Sequence, residues 1–182
     1  TPVLINLFGI RSMAVLDRVI ATVAGLRGEQ LADAPAGNFD LEHLCAIHRV
    51  LFQDVFAWAG QARTVDTEKQ GQDFVPAAEI SAAVRKIHAE LEGEGFLRGL
   101  GIEGFSERLA EYYYRIYAVH VFRDGNSRCL RHFCMALAAA AGYRLDYSVL
   151  ERKALYSACR HRYFNADSAP LRDHMRRIVA PA

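Results

Sequence analysis

Apolar residues recur at helical spacing along almost the whole chain, and this repetition limits the possible folds more than any other feature. The spacing predicts a first helix capped by Ser12, carrying Val15, Leu16, Val19, Ile20, Val23 and Leu26 and stopped by Gly28. Asp40 caps a second, with Leu41, Leu44, Ile47, Leu51 and Val55 on one stripe, ending near Trp58-Ala59-Gly60. A third starts around Pro76 and presents Ile80, Val84, Ile87 and Leu91. Ser106 caps a fourth with Leu109, Tyr112, Tyr113, Ile116 and Tyr117, running to His120. A fifth carries Leu130, Phe133, Cys134, Leu137 and Ala141 and closes at Gly142. Two shorter helices follow, capped by Ser148 and Ser168. The period vanishes only between Gly60 and Pro76. There Arg63–Thr67 and Phe74-Val75 read as two short strands around the polar tip Glu68–Asp73. An isolated two-stranded hairpin is marginal in water, so this one must lean on the helices with an open edge. The expected fold is a single all-α domain over residues 1–182, a helical bundle with one short hairpin.

With 182 residues, 52% of them hydrophobic, the chain can bury a core without staples. Its 22 basic and 21 acidic residues nearly cancel, leaving no global field to hold DNA, RNA or an anionic membrane. No apolar run is long enough to span a bilayer. The opening Thr1-Pro2-Val3-Leu4 lacks an initiator Met and a basic leader, which predicts a piece of a longer protein. Cys45, Cys129, Cys134 and Cys159 form no C-x-x-C pair, so a reduced interior is expected.

Several tempting patterns carry no chemistry. Gly99-Leu100-Gly101-Ile102-Glu103-Gly104 spells a dinucleotide fingerprint, but a helix precedes it where a strand is needed. His43 and His48 are five apart, the wrong spacing for a shared metal on one helix. Tyr112, Tyr113 and Tyr114 point about 100° apart and cannot make one flat stacking face.

The stretch His120-Val121-Phe122-Arg123-Asp124-Gly125-Asn126-Ser127-Arg128-Cys129-Leu130-Arg131 stands apart. Gly125 and Asn126 tolerate left-handed backbone angles, which lets successive N–H groups converge on an anion. Ser127 opens a helix whose first N–H groups lack internal partners and whose dipole favours negative charge. Arg128 and Arg131 share one face of its first turn, a poor place for two cations unless a multiply charged anion lies across it. Asp124 offers a hard oxygen of the kind that holds Mg²⁺ beside phosphates. His120 has the side chain suited to take a proton near neutrality. Together these are the parts for moving a phosphorus group to a hydroxyl.

This stretch resembles the signature of the Fic (filamentation induced by cAMP) family, His-x-Phe-x-(Asp/Glu)-Gly-Asn-(Gly/Ser/Lys)-Arg-x-x-Arg, across residues 120–131. The likeness continues through Leu51–Gly60, Arg63-Thr64-Val65-Asp66 and Phe74, and at Asn6-Leu7-Phe8-Gly9-Ile10. It implies a Fic-like helical bundle that transfers AMP from ATP to a Ser, Thr or Tyr hydroxyl of a target protein and releases pyrophosphate. By the same resemblance, His120 is the base, Phe122 a buried anchor and Asp124 the Mg²⁺ ligand. The Gly125-Asn126-Ser127 backbone cradles phosphates, Arg128 grips the β-phosphate and Arg131 the γ-phosphate. The hairpin at 61–76 is implied to be a flap that docks an extended target segment through Thr64, Val65, Asp66, Thr67 and Phe74. Val121 stands where the family commonly has Pro. Ser127 replaces the commonest Gly and differs from the Lys of the Doc branch, which favours AMP transfer over a Doc-like kinase and leaves transfer of another nucleotide open, while the complete motif argues against a silent interaction module. The family's inhibitory helix, Ser/Thr-x-x-x-Glu-Gly/Asn, has no match: His88, Glu90 and Gly99 stand four residues before Glu92, Glu94 and Glu103. Inhibition is therefore expected from a separate antitoxin protein, from sequence outside this chain, or not at all. The resemblance places such a domain in the cytoplasm or, as a secreted effector, inside a host cell.

Overall fold

Ile80, Val84, Ile87 and Leu91 are all buried, so the four-residue stripe read from the chain is the inner face of a helix. The structure, a computed structural model, describes residues 3–32, 37–151 and 153–182; Thr1 and Pro2 lie outside it. Seven helices carry the described fold: α1 (Met13–Ala32), α2 (Leu41–Phe52), α3 (Ile80–Gly93), α4 (Ile102–Val119), α5 (Asn126–Ala140), α6 (Ala154–Asn165) and α7 (Ala169–Ile178). Four short strands accompany them: β1 (Glu68–Lys69), β2 (Gln72–Asp73), β3 (Tyr143–Leu145) and β4 (Val179–Pro181). The class is all-α. α4 and α5 run through the middle, with Phe105, Leu109, Tyr112, Phe133 and Leu137 fully buried. α1 packs on α2, α2 on α5, and α7 on α4. Asp40 caps α2 by accepting from the His43 N–H at 2.8 Å. Burial pushes the thiols of Cys129, Cys134 and Cys159 up and keeps them inert, and every cysteine is free.

Several local expectations are corrected. Gly28 does not stop α1, which continues to Ala32; Gly28 is buried where the His132 ring approaches, and a Cβ there would stand 3.0 Å from it. Ser106 lies inside α4, whose cap is Gly101, and its hydroxyl donates back to the Ile102 carbonyl at 2.7 Å. Ser148 falls in a 3₁₀ turn held by Asp146. At the start of α7 it is the Asp167 carboxylate, not the Ser168 hydroxyl, that accepts from the Ala169 N–H, at 2.8 Å. Between Arg63 and Val75 the ladder lies inside the stretch expected to be the tip. Glu68 pairs with Asp73 and Lys69 with Gln72, around a two-residue turn in which Gln70 and Gly71 both have positive φ. Arg63–Thr67 is a connector rather than a strand. A second pair, which the spacing does not predict, is formed by β3 and β4, antiparallel with Leu145 opposite Val179. Along α4, Glu103, Glu107 and Glu111 meet Arg176, Arg172 and Arg162. These surface pairs are worth little singly, but they set how α6 and α7 lie on α4.

Candidate active site

α4 and α5 are joined by the six residues His120–Gly125, and the turn has little freedom. His120 caps α4 in a left-handed conformation (φ 50°, ψ 60°), and Gly125 precedes α5 at φ 80°. A Cβ on Gly125 would collide with the Phe52 ring, so only glycine fits. Val121 and Phe122 are buried, which anchors the turn from below. The Asn126 amide closes it, accepting from the Phe122 N–H at 2.9 Å and donating to the Phe122 carbonyl at 2.7 Å. Asn6 ties down the N-terminal segment in the same way through Ile10. The Asn126 side chain is thus committed to the turn, and an anion at α5 would meet the backbone N–H groups of Asn126 and Ser127, which have no acceptor within the helix.

Two cations flank that terminus. Arg128 lies 5.0 Å over the Phe52 ring and 3.9 Å from the Asp124 carboxylate. Arg131 lies 5.2 Å over the Tyr147 ring and bonds with the Tyr113 side chain. Stacking holds both guanidiniums on the α5 side of the turn. Asp124 is half-buried and Ser127 exposed.

His120 ends α4 at the other end of the same turn. Phe74 stacks beneath it, ring centroids 3.9 Å apart and planes 20° apart, and Tyr117 meets it edge-on. Burial, reinforced by the charges of Lys69 and Arg63, lowers its pKa to about 3, with the Tyr117 backbone pulling weakly the other way. Its buried Nδ1 makes no hydrogen bond among the described residues. The ring is neutral at pH 7.

Two residues with no role in the motif reading hold the turn. Arg63, buried at 5% exposure, donates from Nε to the His120 carbonyl (2.8 Å), from Nη1 to Val65 (2.8 Å), and from Nη2 to Val119 (3.2 Å) and Val75. Its own N–H donates to the Val121 carbonyl at 2.9 Å. One guanidinium therefore joins the base of the hairpin to the end of α4. His48 of α2 is the other; it is fully buried and meets the Asp124 carbonyl at 3.0 Å. The only trace of it in the sequence is an imidazole inside an apolar stripe.

The hairpin is gripped from outside. Arg160 of α6 donates to the Lys69 and Gln70 carbonyls at 3.1 and 3.0 Å. The Tyr156 hydroxyl donates to the Gln70 amide oxygen at 3.2 Å, and the Tyr163 hydroxyl accepts from the Asp73 N–H at 3.3 Å. Of the residues expected to face a target, Thr64, Val65 and Asp66 are exposed and Thr67 is half-buried. Asp66 also fastens the connector by accepting from the Ala77 N–H at 2.7 Å. Phe74 is a correction: it is 7% exposed beneath His120, so it supports the imidazole and offers no docking surface.

Seven helices, a six-residue turn between α4 and α5, and a short hairpin fastened to that turn through Arg63 are the features by which the chain can be compared with known proteins. Residues 38–138 match the model of the Fic/DOC family, and the chain belongs to that family. It is 39% identical over 169 residues to the protein adenylyltransferase VbhT of Bartonella schoenbuchensis, covering 92% of this chain and 35% of that protein. It is 40% identical over 142 residues to the probable protein adenylyltransferase Fic of Salmonella typhimurium, covering 78% and 70%. The crystal structure of BepC, a VirB-translocated effector of Bartonella tribocorum with bound AMPPNP, superposes with a TM-score of 0.96 at 25% identity, covering all of this chain and 94% of that one. The chain thus spans about a third of the length of VbhT.

Proposed function

We infer that this domain transfers AMP from ATP to a Ser, Thr or Tyr hydroxyl of a target protein and releases pyrophosphate. The observation that carries this reading is the turn His120–Gly125, which begins at a neutral imidazole stacked on Phe74 and ends at the α5 terminus that bears Arg128 and Arg131. The naming of VbhT and of the Salmonella protein as adenylyltransferases, and the ATP analogue in BepC, point the same way. In this reading the phosphates lie on the N–H groups of Gly125, Asn126 and Ser127, with Arg128 on the β-phosphate and Arg131 on the γ-phosphate. The target hydroxyl attacks the α-phosphorus while His120 takes its proton. The bond from the α-phosphorus to the bridging oxygen breaks, and the charge developing on pyrophosphate is met by the two guanidiniums. A polyphosphate tail nearby also raises the basicity of His120, so the base strengthens when the nucleotide is in place.

Asp124 fits a Mg²⁺ ion as a single hard oxygen donor beside the phosphate seat. No group of three ligating side chains exists among the described residues, so phosphate and water would complete the shell. The ion, when bound, supplies further neutralisation of phosphate charge. The exposed connector Thr64–Asp66 and the outer edge of β1 are where an extended target segment docks, since Tyr163 already takes the Asp73 N–H of β2. Inhibition comes from a separate antitoxin protein or from sequence outside this chain, or the domain has no brake. Glu94 is held by Arg108 and Tyr112, and Glu103 by Arg176, which keeps both from serving as a brake on Arg131. No described helix is long and apolar enough to cross a membrane. The domain acts inside a cell, either the one that makes it or, as with BepC, one into which it is translocated.

The test follows the label. With candidate targets and Mg²⁺, α-³²P from ATP is expected on protein and γ-³²P in pyrophosphate. Label from the γ position on protein would instead make the domain a Doc-like kinase.

A further inference from the structure

Both ring nitrogens of His48 are committed. The Gly60 N–H donates to Nδ1 at 2.9 Å, which makes Nδ1 the acceptor and puts the ring proton on Nε2. Nε2 then donates to the Asp124 carbonyl at 3.0 Å. The imidazole is stacked on Phe122 with centroids 3.9 Å apart, and it is 0% exposed, so it has no other orientation to adopt. The consequence lies in the next peptide group. In a trans peptide the C=O and the following N–H point in opposite directions. A carbonyl of Asp124 drawn inward toward α2 therefore turns the Gly125 N–H outward, toward the terminus of α5. Gly125 sits against Phe52 and His48 so closely that a Cβ would meet both, which confirms how tightly the plane is held.

We propose that His48 is a positioning residue of the anion cradle: by holding the Asp124 carbonyl inward it aims the Gly125 N–H at the phosphates. The proposal rests on the nucleotide reading of the α5 terminus. It also joins two parts of the site, because the same ring holds Gly60, three residues before the Arg63 that secures the hairpin base. His48 touches no substrate; it acts through one peptide plane.

The test is calorimetric binding of ATP with Mg²⁺, beside adenosine as a probe that lacks phosphate, on wild type, His48→Phe and His48→Gln. Phe keeps the aromatic filling and removes both hydrogen bonds, whereas Gln keeps an N–H for the Asp124 carbonyl. His48→Phe is expected to weaken ATP about tenfold, the order of one misdirected hydrogen bond to a charged group, and to leave adenosine unchanged. His48→Gln is expected within about threefold of wild type. ATP bound by folded His48→Phe at wild-type strength overturns the proposal, as does equal loss of ATP and adenosine. If His48→Phe fails to fold, His48→Gln decides, and a tenfold loss there overturns it. Wild-type protein that takes up no ATP overturns the nucleotide reading itself.

Discussion

Two irregular segments meet at the candidate site, and they are secured by opposite means. The motif turn is held from beneath by the buried Arg63 guanidinium, the His48 ring, the Asn126 amide and the packed Phe122. The hairpin tip is held from outside by Arg160, Tyr156 and Tyr163, on bonds the structure leaves exposed. Buried, fully paired polar groups fix a geometry, whereas exposed ones yield at small cost. In the proposed reading the seat for charge is therefore preorganised, and the seat for a protein segment can adjust.

The comparison breaks most sharply at His120. His120→Ala is expected to cut AMP transfer by about 10²–10⁴-fold with ATP affinity unchanged, measured as initial rates of α-³²P incorporation. A rate within a few-fold of wild type would remove the base from the motif side. Next is Arg63→Met, which strips donors from several carbonyls around one buried point and is expected to lower stability by about 3 kcal/mol in urea unfolding.

Acid is expected to act on the motif side first. The pKa values of His48 and His120 fall to about 4 and about 3 in the folded protein, both chiefly through burial, against about 6.5 in the unfolded chain. The unfolded chain thus binds more protons below pH 6.5, so stability is full above that pH and declines as pH falls toward 4. A loss on the order of 4 kcal/mol between pH 7.5 and 5, about 2 kcal/mol for each histidine, is expected from denaturant titrations. Hydrogen exchange should show the turn at 120–125 loosening with it. The smallest effect belongs to the hairpin grip. Arg160→Ala should shift stability by no more than about 0.5 kcal/mol, leave ATP affinity alone, and raise KM for the protein target. Equal damage to ATP binding would show that the two segments are not separable.

What could be read from the sequence follows the range of the interactions. The helical stripes, the Asp40 cap and the closure of the motif turn by Asn126 on Phe122 depend on neighbours within a few residues, and they show in the spacing. The Arg63–His120, His48–Asp124 and Arg160–Gln70 contacts span 57, 76 and 90 residues, and nothing local announces them. The hairpin ladder lies outside the segments that the spacing predicts because two-residue strands are too short to alternate. Ser106 and Ser148 resembled caps because serine before an apolar run has that signature, yet the backbone entered those turns at Gly101 and Asp146. Phe74 shows the hardest limit. Sequence placed it on the hairpin but could not say that it faces inward under an imidazole 46 positions later.

The most direct measurement is a crystal structure with Mg²⁺ and a non-hydrolysable ATP analogue. The account predicts the phosphates on the N–H groups at the start of α5, Arg128 and Arg131 closing on the outer two, and the His120 ring beside the α-phosphorus. Phosphates seated elsewhere in the bundle, or a His120 ring turned away from them into the core, would contradict it.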